Sequence, residues 1–121
     1  MIFQNDLIYI EREISEIPWV KVFAKGEFCE ISDCNDELKK EIFKTCLIIE
    51  KSMLEFYKPK KINWASFANY LPKVHIHIMA RFEDDSFFPE SMWGKKQRNG
   101  QNHTKNWNEF EKFLLKNLQS K

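Results

Sequence analysis

The segment Lys73-Val74-His75-Ile76-His77-Ile78-Met79-Ala80-Arg81 alternates apolar and polar positions almost without a break. In an extended strand, Val74, Ile76, Ile78 and Ala80 point to one side, and Lys73, His75, His77, Met79 and Arg81 to the other. A strand divided in this way has one face to bury under a second layer and one to leave open. It therefore restricts the chain to a sheet covered on one side. Two of the 3 histidines of the chain stand on the polar face, between a lysine and an arginine. Two imidazoles flanked by fixed cations suit work on phosphate.

The rest of the chain supplies such a sheet and its cover. Leu7 to Glu13 reads as a strand stopped before Pro18, Trp19 to Ala24 as a second ending near Gly26, and Phe28 to Ile31 as a short third. The period then changes. Leu38, Ile42, Cys46, Ile49, Met53 and Phe56 recur at steps of three or four, which predicts one apolar stripe on a long helix. Asn35 is the expected N-cap, with Asp36 and Glu37 in the first turn, and Lys58-Pro59 ends the helix. Ile62 to Ala68 is a further strand. Asn69-Tyr70-Leu71-Pro72 turns the chain, so Lys73 to Phe82 should return antiparallel to it. Glu83 to Asn102 has little period and reads as a long loop. Thr104 is the expected cap of a C-terminal helix, 104–119, in which Trp107, Phe110, Leu114 and Leu118 share a face. The sum is a single α+β domain over 1–121: an antiparallel sheet of about five strands, one long helix packed on it and a C-terminal helix. Val74, Ile76 and Ile78 should lie under the long helix, with the histidines on the other face.

Composition narrows the function classes. The net charge is +1, from 19 basic and 18 acidic side chains, which argues against a general nucleic-acid binder. No apolar run approaches the roughly 20 residues that span a bilayer, and no signal peptide is expected at Met1 to Asp6. Cys29, Cys34 and Cys46 match no zinc spacing. Reduced thiols in a cytoplasmic protein are the expectation.

Neighbouring imidazoles on one strand face can share a metal, or one can attack a substrate while the other holds it. Leu71-Pro72-Lys73-Val74-His75-Ile76-His77-Ile78-Met79-Ala80-Arg81 resembles the signature of the histidine-triad superfamily, in which three histidines alternate with apolar residues. The order of elements from about Leu7 to Arg81 is similar to that family's. The resemblance implies a nucleotide hydrolase or nucleotidyl transferase acting at the α-phosphate of nucleoside phosphates or dinucleoside polyphosphates. His75 would be the nucleophile that becomes a nucleotidyl-histidine, and His77 would orient or hydrogen-bond the phosphate. Asn69, Lys73, Arg81 and Glu11 are the candidate substrate-binding residues, Asn69 for the phosphate and Glu11 for ribose hydroxyls. No cofactor is required, although such substrates often arrive as magnesium complexes, and a homodimer is implied. The chain departs from the pattern in two places. Lys73 stands where the first histidine is expected, and Lys25-Gly26-Glu27-Phe28 lacks an upstream histidine common in the family.

Two other readings stay open. A nucleotide-binding module without turnover is compatible with the incomplete triad. A metal-dependent enzyme would use His75 and His77 with a third ligand from His103, Glu83, Asp84 or Asp85. The basic run Lys95-Lys96-Gln97-Arg98 is read as a solvated loop in preference to a lip for polyphosphate or RNA. The aromatics of Phe87 to Trp93 must cover a sheet edge, line a base pocket or enter a dimer interface.

Overall fold

The fold was obtained as a computed structural model, which describes residues 1–120. Strands β1 (Phe3–Gln4), β2 (Ile8–Arg12), β3 (Trp19–Ala24), β4 (Lys61–Ala65) and β5 (His75–Arg81) form one antiparallel sheet in the order β1-β2-β3-β5-β4. Helix α1 (Asp36–Tyr57) joins β3 to β4, and α2 (Trp107–Gln119) follows the long loop. The α+β architecture is the one read from the sequence.

Register decides which residues meet. Directly paired residues of antiparallel strands point to the same side of a sheet. Ile10, Val22 and Ile76 form one row, and Arg12, Val20 and Ile78 another, on the side that faces α1. Ile8, Ile10, Val20, Val22, Val74 and Ile78 are buried there against Leu38, Ile42, Cys46, Ile49 and Met53 of the helix. The predicted stripe is thus the core stripe. The Asn35 side chain accepts a hydrogen bond from the Leu38 amide at 2.9 Å, as a cap should. At 22 residues, the helix is about 33 Å long. It stops at Lys58, which adopts φ +49° just before Pro59.

Helix α2 buries Trp107, Phe110, Leu114 and Leu118. Its Asn117 amide donates to Ser52 Oγ on α1 at 2.8 Å, and the Arg12 guanidinium lies 4.2 Å above the Trp107 ring.

Several boundaries differ from the sequence reading. Phe28 to Ile31 is not a strand: Phe28 only accepts from the Val74 amide, and Ile31–Asp33 is one 3₁₀ turn closed by Asp33 bonding back to Glu30. The two-residue β1 is an addition, too short to give a periodic signal. β4 ends at Ala65 and β5 begins at His75, so Lys73 lies just outside the strand. Thr104 does not cap α2. Asn106 occupies that position, and the Thr104 carbonyl accepts from the Trp107 amide.

The loop after β5 folds back over the half of the open face that Arg81 and Met79 occupy. Asp85, fully buried, accepts from Arg81 Nε at 2.9 Å and Nη2 at 3.0 Å, and from the amides of Phe82, Phe87 and Phe88. Burial pushes the Asp85 carboxyl up, but these hydrogen bonds, Arg81 foremost, outweigh it and hold it at about 2. Arg81 Nη1 also donates to Asn63 Oδ1 at 2.9 Å. Farther along, Glu16 accepts from the Ser86 amide and hydroxyl, and the Gly100 amide donates to Ser86 Oγ. A Cβ on residue 100 would overlap Ser86 N and Glu16 Oε2, so only glycine fits.

Removing one partner of a buried ion pair leaves the other charge uncompensated, at a cost of about 3–5 kcal/mol. Asp85→Ala should therefore lower the free energy of denaturant unfolding by about that amount. Replacing both Asp85 and Arg81 by apolar residues should recover a large part of it. A loss under about 0.5 kcal/mol, the size expected of an ordinary surface substitution, would contradict the anchor.

Candidate functional site

Opposite α1, the sheet carries two rows of functional side chains. Tyr9, Phe23 and His75 are directly paired across β2, β3 and β5; so are Glu11, Lys21 and His77. The first row is a stack: Tyr9 and Phe23 lie 4.8 Å apart at 2°, Phe23 and His75 4.8 Å apart at 21°. The two imidazoles meet edge to face at 5.0 Å. They do emerge side by side, as neighbours two apart on a strand must.

Each imidazole is held by a different partner. His75 is 7% exposed, and its Nδ1 lies 2.6 Å from the Lys73 carbonyl oxygen. A carbonyl can only accept, so Nδ1 carries the proton and the neutral ring has its lone pair on Nε2. His77 Nδ1 accepts from the Trp19 indole N–H at 3.0 Å. Trp93, from the long loop, packs edge-on against His77 at 5.1 Å, against Trp19 at 5.3 Å and against Phe67 at 4.8 Å. Burial, then the neighbouring His75 and Lys21, push His77 down to about 4, against an opposing pull from Glu13. Lys21 itself is paired with Glu13 at 2.9 Å.

These side chains surround a cleft of about 410 Å³. His75, His77, Lys21 and Phe23 supply its sheet side; the turn residues Phe67 to Leu71, with Trp93, complete the lining. A wider hollow of about 620 Å³ lies on the outer surface of α1, among Phe43, Leu47 and the lysines 39, 40, 44 and 51. No histidine, cysteine, aspartate or glutamate lines it, whereas the smaller cleft holds the paired imidazoles.

Of the residues singled out from sequence, His75, His77 and Asn69 line the cleft together. Lys73 stands beside it: its ammonium lies 4.9 Å above the Tyr9 ring, and its carbonyl holds His75. Glu11 shares the row of His77 but sits one strand beyond Lys21 and outside the lining. Arg81 is not in the cleft; its guanidinium is buried against Asp85 and Asn63. The basic run is exposed, and Arg98 donates to the carbonyls of Asp85 and Phe88 within the loop. Sequence reasoning missed Lys21, Phe23 and Trp19, although Trp19-Val20-Lys21-Val22-Phe23 alternates in the same way and β3 is the direct neighbour of β5.

The third ligand required for a metal centre is not gathered. Among the described residues, no group of three or more His, Cys, Asp or Glu could hold a metal ion. His103 Nε2 pairs with Asp84 at 2.7 Å, Asp85 is committed to Arg81, and Glu83 faces Lys60. None of the described helices is long and apolar enough to cross a membrane.

No protein-family model and no curated protein matches the chain. Solved structures do. A histidine triad protein of Bradyrhizobium japonicum superposes with a TM-score of 0.80 at 24% identity, over 96% of this chain and 87% of that one. A histidine triad (HIT) protein of Sinorhizobium meliloti 1021 gives 0.79 at 17%, over 96% and 87%. A histidine triad protein of Marinobacter aquaeolei VT8 gives 0.76 at 20%, over 98% and 88%. The chain therefore has the histidine-triad fold along nearly its whole length.

The depressed pKa of His77 has a defined sign. Between pH 6.5 and about 4, the unfolded chain binds a proton at this ring that the folded chain does not. Stability held above pH 6.5 should be lost as pH falls toward 4. The parent should lose more stability across that window than His77→Gln, measured by thermal unfolding; parallel curves would contradict the assignment.

Proposed function

We propose that the cleft is the α-phosphate site of a nucleotide hydrolase or nucleotidyl transferase. The observation that carries this reading is the hydrogen bond from His75 Nδ1–H to the Lys73 carbonyl. It leaves Nε2 as the basic nitrogen of a ring that lines a cleft of about 410 Å³. Neutral imidazole is a competent nucleophile, and a held second nitrogen keeps it oriented. Nε2 attacks the α-phosphorus, the P–N bond forms, and the bond from phosphorus to the leaving oxygen or nitrogen breaks with its electron pair. Water or another acceptor then attacks the same phosphorus, releases the nucleotide and returns the electron pair to Nε2.

The surrounding groups suit that step. His77 and the Asn69 amide supply hydrogen-bonding groups at the cleft, and Lys21 supplies positive charge near the developing negative charge. Phe23, Phe67, Tyr70 and Trp93 give apolar faces on which a base can stack. No protein-bound metal enters the step, and the substrate can arrive as its magnesium complex. Glu11, in line with His77 and Lys21 at the rim, is the proposed contact for ribose hydroxyls. Arg81 is assigned to holding the loop. The homodimer of this reading joins two copies at the free edge of β4, beside the exposed Phe43 and Leu47 of α1. Sedimentation should then give twice the 14.6 kDa of one chain.

A binding module without turnover is the second reading. Lys73 replaces an imidazole, and its ammonium is engaged over Tyr9 rather than lining the cleft. Mass spectrometry decides between the two. Incubation with adenosine or guanosine phosphoramidates should leave a nucleotidyl adduct on His75. His75→Ala should form none and lose turnover by at least about 10³-fold, the scale of deleting a nucleophile, with its unfolding midpoint preserved. Binding with neither adduct nor turnover would favour the module. Full activity of His75→Ala would remove His75 as the nucleophile.

A further inference from the structure

We infer that Trp19 is a positioning residue that fixes His77 as an Nε2–H hydrogen-bond donor, so that the paired imidazoles carry opposite tautomers. The inference deepens the reading above and rests on it for the role of the cleft. Its ground is the donor inventory. An indole N–H can only donate, and Trp19 Nε1 lies 3.0 Å from His77 Nδ1. That nitrogen must therefore present its lone pair, and the one proton of a neutral ring must sit on Nε2. Protonating Nδ1 would abolish the bond and set two N–H groups against each other.

The surroundings keep the ring in that state. Trp93 and Trp19 pack edge-on against it, and against each other, which restricts rotation about its side-chain bonds. The groups facing it are His75, Lys21 and Glu13; Lys21 is already paired with Glu13. Glu13, the carboxylate that acts on His77, is tied to Lys21 at 2.9 Å, and burial outweighs its pull. His75 has the reverse arrangement, with Nδ1–H on the Lys73 carbonyl and its lone pair on Nε2. One ring can attack phosphorus through Nε2 and its neighbour can donate from Nε2–H to a phosphate oxygen. A protonated His77 beside His75 would instead lower the basicity of the nucleophile.

Trp19 and His77 are 58 residues apart in the chain, and their strands are adjacent. Trp19 sits at the first position of β3, paired with Met79, so its indole reaches diagonally along the strand face to His77. This diagonal is within the reach of an aromatic side chain.

Long-range ¹H–¹⁵N correlation spectra of the whole, ligand-free protein near pH 7.5 read the tautomers directly. With 3 histidines in the chain, His77→Gln and His103→Gln together assign the signals. In the parent, His77 should show a protonated Nε2 and an unprotonated Nδ1, and His75 the reverse. Trp19→Phe keeps an aromatic ring and removes the donor. In that variant His77 should populate both tautomers, and its titration midpoint should move up from about 4 toward 6.5. The acid limb of turnover should move with it. A protonated Nδ1 on His77 in the parent overturns the inference. So does a folded Trp19→Phe protein in which the tautomer and midpoint are unchanged, the result expected of a residue that only fills space. If Trp19→Phe fails to fold, the parent spectrum alone decides. The spectra need no substrate: locked tautomers without a nucleotidyl adduct on His75 would remove the hydrolase reading and leave the lock standing.

Discussion

The fold depends on the pairing of β5 along both of its edges. It lies between β3 and β4, so its backbone is hydrogen-bonded on either side and its pleat has no freedom to slip. A shift of one residue would drive the imidazoles under α1 and bring Ile76 and Ile78 to the open face. The buried rows with Val20 and Val22 oppose that shift with the full apolar cost of exposure, which is about 1.5–3 kcal/mol for each large aliphatic side chain. The same hydrophobic pattern that builds the core thereby aims His75 and His77. The core and the candidate site are specified by alternate residues of one strand.

Desolvation is the second theme of the site. Aromatic rings pack against both histidines, and Glu13, the carboxylate that acts on His77, is tied to Lys21. Burial holds the His77 ring neutral against the pull of Glu13, and the Trp19 N–H bonds to its Nδ1. A neutral His77 pays the smaller burial penalty. The loop contributes by placing Trp93 on His77 while its own fixing points lie away from the cleft, at Asp85, Ser86 and Gly100.

Much of this was legible in the sequence because it follows from periods. Alternation over 73–81 separated the core residues from the histidines, and the three-four stripe of α1 named the face that covers them. The cap at Asn35 and the stop at Lys58-Pro59 are local and came out as expected. What escaped was non-periodic or distant. Arg81 reads as a cation on the functional face; its fate is set by Asp85, in a loop without pattern that folds back over it. Lys21 and Trp19 became site residues only when β3 was known to lie beside β5. The Phe28–Ile31 segment has strand-like composition but finds no partner for a ladder, and it forms a turn. Thr104 lost the cap of α2 to Asn106, a difference of two residues that side-chain preference alone does not resolve.

In the proposed function an attacking imidazole and a donating imidazole stand together in a cleft that receives a nucleotide phosphate. A titration of ¹⁵N-labelled protein with AMP and GMP, followed by the imidazole and indole nitrogens, tests it most directly. The account predicts saturable shifts at Nε2 of both His75 and His77 and at the Trp93 indole, with His103 unmoved. Saturable binding that leaves both imidazoles unperturbed, or no binding of either nucleotide, would contradict it.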